Sequence, residues 1–466
     1  MKLTWKEKLS YGFGALGKDM VCGLIFTFAM IYFTDVLKIS AGFVGSLFFF
    51  AKFWDAVNDL GMGIIVDNTR TKWGKFRPWL LIGTIVNAVV FVCLFTNWGL
   101  SGTSLYVFAA VMYVLWGMTY TIMDIPYWSM LPNLTKDKRE REKLSVIPRI
   151  FASIGGSLIV GGFGLQIIEF LGKGNDQAGY TRFAWIIAIV FVIAILITVC
   201  NVKSADKVDT MKAEKTSLRQ MVHIILKNDQ LLVAIGIILT FNFAIQVMNG
   251  VSTYYFIYVT GSKEMFSVFT MFAGIAEIVG LFVFPKVVSK ISRTHVYFWA
   301  CCFPVIGFAI LFVISYLCPQ NAILTALSGI CVKFGSGLHL GTATVVLADV
   351  VDYGGYKFGS RNESITFSIQ TLMVKFTSAM GALLTGAALT WTGYVPNAVQ
   401  SEATLMGIRI VMIVIPTTFA IASFVIYKGM FKLNGEYYDR IMNILALRKN
   451  ELEEYLEEVE NEKILR

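Results

Sequence analysis

A succession of long, continuously apolar stretches runs along most of the chain. Each is long enough for the ~20 residues of a membrane-spanning helix, and none shows the two-residue alternation of a barrel strand. Only 15 % of the 466 residues are charged, against roughly 25 % in a soluble domain, and the mean hydropathy is +0.66. The sequence therefore predicts an all-α polytopic membrane protein, with spans near 11–35, 40–66, 78–97, 105–130, 146–171, 183–201, 231–258, 265–288, 295–317, 322–348, 363–391 and 405–428.

The distribution of Lys and Arg predicts the orientation of these spans, because cytoplasmic loops carry an excess of basic residues. Basic residues crowd the N-terminus and every second connection, whereas the alternate connections hold Lys38, Lys173, Arg182 and Lys263. Both termini are therefore predicted to be cytoplasmic. The net charge of +9 is explained by this excess of basic residues in the predicted cytoplasmic loops. It is therefore not interpreted as a nucleic-acid-binding surface, and no nucleic-acid partner is expected. Seven cysteines without a CxxC pair predict neither a disulfide framework nor a zinc site.

A long polar stretch divides the spans into two sets of six. The predicted organisation is an N-terminal bundle over 1–201, a cytoplasmic linker over 202–230, a C-terminal bundle over 231–428 and a cytoplasmic tail over 429–466. Two six-helix bundles joined in this way indicate the major facilitator architecture. The acidic end of the tail is interpreted as a solvated helix, with a contact for a regulatory cytoplasmic protein as the alternative.

Ionisable residues inside the spans indicate a functional site, because each costs at least ~2.5 kcal/mol at the centre of a membrane helix. Asp55 and Asp59 are one helical turn apart on one face. With Asn58 and the hydroxyl of Thr121 they form an oxygen-only ligand set, which suits a hard cation. The alternative is that the two carboxylates only pair with basic groups, namely Lys52 and Arg149.

A charge count favours a monovalent cation at this site. Asp19, Asp55, Asp59 and Asp124 outnumber the basic residues of the N-terminal spans by one, if every group is ionised. One monovalent cation would balance that charge, and so would Lys375 if it reaches across the interface. A lysine that competes with a cation for one carboxylate pair would couple the two halves.

A second set of residues suits a sugar. The carboxylates of Asp19 and Asp124 can accept hydrogen bonds from vicinal hydroxyls, and the guanidinium of Arg149 can donate others. Trp128 lies one turn after Asp124 and offers a flat apolar surface for a pyranose ring, although a Trp at a membrane interface is the alternative.

A gate is predicted at the cytoplasmic face. Arg139 and Arg141 of the first half are expected to pair there with Asp349 and Asp352 of the second half, and Arg361 is assigned to the same gate.

Several segments together resemble the glycoside–pentoside–hexuronide:cation symporters. They are KLSYGFGALGKD, FWDAVNDLGMGIIVDNTRTKWGKFRPW, TYTIMDIPYWS, KDKREREKL and RNESITFSIQTLMVK, and the resemblance extends to about residue 435. It implies a two-bundle facilitator in the bacterial inner membrane that carries an α-galactoside such as melibiose. Na⁺, Li⁺ or H⁺ is the implied coupling cation, and no other cofactor is expected.

The resemblance also implies the site residues. A sugar site falls on Lys18, Asp19, Asp124, Trp128, Arg149, Gln370, Thr371 and Lys375, and a cation site on Asp55, Asn58, Asp59 and Thr121. The chain departs from the family pattern at Phe26, where the compared member has Tyr, and at Leu340, where it has Trp.

Three alternative functions share some of these features. A cation-independent facilitator would have the same fold. An intramembrane prenyltransferase could use the DxxxD pair to bind Mg²⁺-diphosphate, although such an enzyme needs several basic groups beside the pair. A sugar-sensing receptor would keep the binding site without transport, but no signalling domain is evident.

Overall fold

The computed structural model describes residues 3–134, 138–202, 227–358 and 363–447, and these residues form helices without a strand. Within these described ranges, eleven helices are long and apolar enough to cross a membrane. The remaining long helix, Ala41–Asn68, carries Lys52, Asp55 and Asp59. This confirms the predicted all-α membrane fold.

The helices of the first half overlap the six predicted spans, and the first, fifth and sixth begin six to eight residues earlier than predicted. We number them α1 to α6: Trp5–Ile31, Ala41–Asn68, Arg77–Leu94, Gly102–Leu134, Lys138–Gly172 and Asp176–Asn201. The first continues as a π-helical turn, Tyr32–Val36, and the fifth contains a π-helical segment, Ile154–Gly162. The predicted linker and the acidic end of the tail lie largely outside the described residues, which resume at 227 and stop at 447.

The second half repeats this pattern. Helices α7 to α12 span Asp229–Val259, Lys263–Val288, Arg293–Leu317, Ala322–Phe358, Glu363–Trp391 and Glu402–Met430. Helix α10 continues to Phe358, beyond the predicted end near 348. Many of these helices begin after a short polar residue whose side chain accepts a hydrogen bond from a backbone N–H of the first turn. These residues are Thr4, Ser40, Asn175, Asn228, Ser262, Ser292 and Ser401.

Helix α2 packs on α11, α5 on α8 and α1 on α7, so these three pairs join the two halves. We call the end where α1 begins and α12 ends the near end, and the opposite end the far end. A Cβ at Gly45 would lie 2.9 Å from Ala382 O, and one at Gly274 would lie 2.8 Å from Ser157 Cβ. Small residues therefore let the halves pack backbone to backbone in their far parts, as in other membrane helix pairs.

Candidate functional site

The Lys18 ammonium is the centre of a polar cluster between α1 and α4. Its Nζ lies 2.8 Å from Asp124 Oδ1 and 3.2 Å from Asp19 Oδ2, and it donates to Tyr120 Oη at 3.3 Å. The indole ring of Trp128 is centred 4.9 Å from the same Nζ, which is a cation–π contact. The Lys18 side chain is only 4 % exposed, whereas those of Asp19 and Asp124 are 28 % and 25 % exposed. The two carboxylates thus keep acceptor surface for a hydroxylated ligand.

Arg149 does not join this cluster. It is exposed on α5, and no ion pair links it to any other residue that the structure describes. The expected grouping of Arg149 with Asp19 and Asp124 is therefore not formed, and both carboxylates contact Lys18 instead. A role for Arg149 in sugar binding stays a prediction.

Each carboxylate of the DxxxD pair on α2 has its own lysine. Lys52 Nζ lies 3.6 Å from Asp55 Oδ2, and Lys375 of α11 forms an ion pair with Asp59 Oδ2. Thr121 Oγ1 donates to Asp59 Oδ1 at 3.0 Å. The structure thus brings together residues of α2, α4 and α11, and Lys375 reaches across the interface between the halves.

The other residues of the predicted cation site lie beside this pair. Asn58 donates its amide to Met118 O at 3.3 Å, so its carbonyl oxygen is the atom that can coordinate a cation. A Cβ at Gly117 would overlap Asp55 Oδ1, so this glycine lets the carboxylate lie against α4. Lys52 Nζ lies 4.5 Å from the centre of the Phe26 ring.

Gln370 and Thr371 precede Lys375 by about one turn of α11. Gln370 is half-buried and Thr371 is exposed. At the two positions that depart from the family pattern, Phe26 is 54 % exposed and Leu340 is 37 % exposed. Neither is buried in the core, and Phe26 lines the cavity between the halves.

A cavity of about 320 Å³ lies between the two halves. Asp19 and Phe26 of α1, Ser157 of α5, Asn249 of α7 and Glu277 of α8 contribute to its wall. Its volume lies in the ~300–1,000 Å³ range of small-molecule sites. Asp19 therefore connects the Lys18 cluster to a space that can hold a solute.

The sequence pattern of one family of membrane carriers matches residues 10–434. The chain belongs to the MFS/sugar transport protein family. The putative glycoside/cation symporter YagG of Escherichia coli (strain K12) is 28 % identical over 446 residues, which cover 94 % of this chain and 92 % of YagG. The isoprimeverose transporter of Lactiplantibacillus pentosus is 29 % identical over 417 residues, covering 89 % and 86 % of the two chains.

A solved structure supports the fold of this sugar transport protein. A bacterial homologue of the human lysosomal transporter Spinster, inward-facing and unoccupied, superposes with a TM-score of 0.65 at 13 % identity over 92 % of this chain and 97 % of the homologue. The resemblance to the glycoside–pentoside–hexuronide:cation symporters is thus confirmed. The protein is a membrane sugar transporter and not an enzyme, which excludes the prenyltransferase alternative. Transport of melibiose stays a prediction.

The acidic residues of the expected near-end gate have other partners in the described residues. Asp349 pairs with Arg293 of α9 at 2.5 Å, and Asp352 accepts a hydrogen bond from Tyr438 Oη at 3.0 Å. Burial and these two carboxylates raise the pKa of Tyr438 above its usual range, so its hydroxyl stays a donor. The side chains of Arg139 and Arg141, and all of Arg361, lie outside the described residues, so their part in a gate stays a prediction.

At the far end of the sugar transporter, a hydrogen-bonded latch joins the halves. It consists of Asp35 after α1, Tyr258 of α7, and Tyr394 and Asn397 of the connection after α11. Tyr394 Oη donates to Asp35 Oδ1 at 2.6 Å, Tyr258 Oη donates to Asp35 Oδ2, and Asn397 Nδ2 donates to Asp35 O at 2.6 Å. Burial and the Asp35 carboxylate raise the pKa of Tyr394, so it stays protonated and donates.

The sequence does not predict this latch, because Asp35 stands at the end of a span, where a charged residue is ordinary. The available signal was the tyrosine-rich segment YFIYV at the end of α7, whose hydroxyls need partners when buried. The latch therefore holds Asp35 of the first half against α7 and the connection after α11 of the second half.

Tyr394→Phe is expected to open the far end more often, because it removes the hydroxyl that contacts both Asp35 and Tyr258. A hydrogen bond to a charged group contributes about 1.5–3 kcal/mol, so a shift of roughly tenfold or more is expected. The measurement is the labelling rate of Thr27→Cys, in a chain without native cysteines, by a membrane-impermeant thiol reagent added on the far side. Tyr316→Phe, an exposed tyrosine outside the latch, is the control. Equal labelling rates in all three proteins would show that the latch does not hold the far end closed.

Proposed function

We propose that the protein is a cation-coupled glycoside symporter that works by alternating access. The observation that carries this proposal is the Asp59–Lys375 ion pair, which joins the halves beside oxygen ligands suited to a cation. The proposed cargo is an α-galactoside such as melibiose, with Na⁺, Li⁺ or H⁺ as the coupling cation. The proposed location is the bacterial inner membrane, with both termini in the cytoplasm.

Coupling follows from competition for Asp59. A cation held by Asp55, Asn58, Asp59 and Thr121 would displace Lys375, since the ammonium and the cation repel each other at short distance and compete for the same carboxylate. Displacement of Lys375 breaks its ion pair with Asp59, which is a contact between the two halves. Binding of the cation on α2 and α4 would therefore change the contact between α2 and α11.

The sugar would bind at the neighbouring cluster. Asp19 and Asp124 accept hydrogen bonds from adjacent hydroxyls, Lys18 pairs with both carboxylates and orients them, and Trp128 provides an apolar ring face. Arg149, Gln370 and Thr371 are the proposed donors and acceptors that complete the site when the halves approach. The names of YagG and of the isoprimeverose transporter support a glycoside as cargo.

A cation-independent facilitator is the alternative, since the lysine partners of Asp55 and Asp59 balance the pair in the absence of an ion. Uptake of labelled glycosides into vesicles distinguishes the two. The symporter accumulates sugar when a Na⁺, Li⁺ or pH gradient is imposed, and its counterflow depends on the cation. Equal counterflow with and without each cation, and no accumulation, would establish the facilitator instead.

A further inference from the structure

The C-terminal half contributes a charged pair to the cavity that the proposed site does not use. Lys333 Nζ of α10 lies 3.4 Å from Glu277 Oε2 of α8, and Ser336 Oγ donates to Glu277 Oε1 at 2.9 Å. Glu277 and Lys333 both line the cavity that Asp19 lines from the N-terminal half. Charged side chains therefore line this cavity from both halves of the transporter, Asp19 from the N-terminal half and the Glu277–Lys333 pair from the C-terminal half.

Stability of the fold does not explain this pair. Ionisable residues are expensive inside membrane-spanning helices and are retained where they line a cavity or pathway. A buried ion pair is often no more stabilising than two apolar side chains of similar volume. The Glu277 side chain is 36 % exposed and the Lys333 side chain is 16 % exposed, so a ligand in the cavity can contact both.

The pair has hydrogen-bonding capacity left over. An ammonium has three donors, and Lys333 makes one contact with Glu277. An ionised carboxylate has about four acceptor sites, and Glu277 uses two, with Lys333 and Ser336. A donor beside an acceptor matches two adjacent hydroxyl groups. The charges cancel, so the pair favours an uncharged polyol over an anion or a cation.

We propose that Glu277 and Lys333 form a second saccharide subsite, which binds the distal sugar unit of a neutral disaccharide. This inference rests on the proposed function, in which the first unit binds at Asp19 and Asp124. Because the two subsites stand on different halves, a disaccharide contacts both halves and a monosaccharide contacts mainly one. The subsite therefore selects cargo by the presence of a second sugar unit.

Equilibrium binding of matched sugars to the purified full-length transporter tests the proposal. The probes are methyl α-galactoside and melibiose, which adds a glucose to the same galactosyl unit. Wild-type protein is expected to bind melibiose more tightly. Glu277→Gln is expected to weaken melibiose binding about tenfold or more, the usual effect of losing a hydrogen bond to a charged group, and to leave methyl α-galactoside binding unchanged.

Glu277→Gln leaves the Lys333 ammonium without its carboxylate, so a second variant guards against misfolding. Glu277→Met/Lys333→Met removes both charges and leaves no unpaired group, and it is expected to bind the two sugars with equal affinity. Glu264→Gln, which removes a carboxylate at the exposed start of the same helix, is the control for lost charge.

Two results would overturn the subsite. The first is an equal loss of affinity for both sugars in the double variant, and the second is unchanged melibiose binding in that variant. Wild-type protein that binds neither sugar, nor xylose-based counterparts such as methyl α-xyloside and isoprimeverose, would overturn the proposed glycoside function itself. The failure of the function is thereby separated from the failure of the subsite.

Discussion

Asp59→Asn is expected to abolish cation-driven accumulation of sugar while exchange of sugar across the membrane persists. The substitution removes the carboxylate that contacts both Lys375 and Thr121. Asp55 then remains with Lys52, and the unpaired Lys375 repels a cation. The Lys18 cluster on α1 and α4 keeps its contacts, so sugar binding is retained.

The size of this effect follows from the driving force. One charge that crosses 100 mV supplies about 2.3 kcal/mol, and ~1.4 kcal/mol corresponds to a factor of ten. Wild-type vesicles are expected to accumulate sugar roughly fiftyfold. Asp59→Asn vesicles should reach equal concentrations on both sides.

The measurement is uptake into energised vesicles, with sugar exchange in de-energised vesicles as the test of retained binding. Asp176→Asn removes one carboxylate at the exposed start of α6 in the same half and should behave as wild type. Accumulation by Asp59→Asn after addition of Na⁺ would exclude the DxxxD pair as the coupling site.

Asp124→Asn is expected to lower sugar affinity by roughly ten- to a hundredfold. The carboxylate lies 2.8 Å from Lys18 Nζ and is a quarter exposed, so it serves both the lysine and the ligand. Loss of one charge-assisted hydrogen bond costs about 1.5–3 kcal/mol, and an asparagine also presents N–H groups where hydroxyl donors need acceptors. Asp19 remains to neutralise Lys18, so the variant should still insert and fold.

Calorimetric titration with sugar measures this loss, and Glu169→Gln, an exposed carboxylate in α5, is the control. Arg149→Ala belongs in the same series, because Arg149 has no ion-pair partner among the described residues. A comparable loss of affinity would show that Arg149 reaches the sugar in the bound state. Affinity near that of wild type for Asp124→Asn would contradict the proposed sugar site.

The positions of the helices could be predicted from sequence because a membrane span needs a long run of apolar residues, and such runs are rare in other structures. The end of α10 could not. It continues to Phe358 because polar residues past its apolar run find partners elsewhere, as Asp349 does in Arg293 and Asp352 in Tyr438. A hydropathy pattern contains no information on such partners.

The same distinction applies to the site. The contact of Lys375 with Asp59 could be anticipated, since charges inside a membrane must balance and one negative charge was left over. The Asp35–Tyr394 contact and the Glu277–Lys333 pair could not be anticipated in detail, because each joins residues far apart in sequence through packing of the helices. The absence of an ion pair between Arg149 and these carboxylates among the described residues likewise depends on how the helices pack.

The Asp59–Lys375 ion pair has an electrical consequence for the proposed cycle. With Asp55 on Lys52 and Asp59 on Lys375, the DxxxD site carries no net charge when the carrier is empty. A bound monovalent cation adds one positive charge. In the proposed cycle this charge lets the membrane voltage act on the movement of the loaded carrier toward the cytoplasm, whereas the DxxxD site of the empty carrier has no net charge on which the voltage can act. A negative cytoplasmic potential would accelerate the inward step of the loaded carrier. Transport currents should therefore flow only when the cation and the sugar cross together.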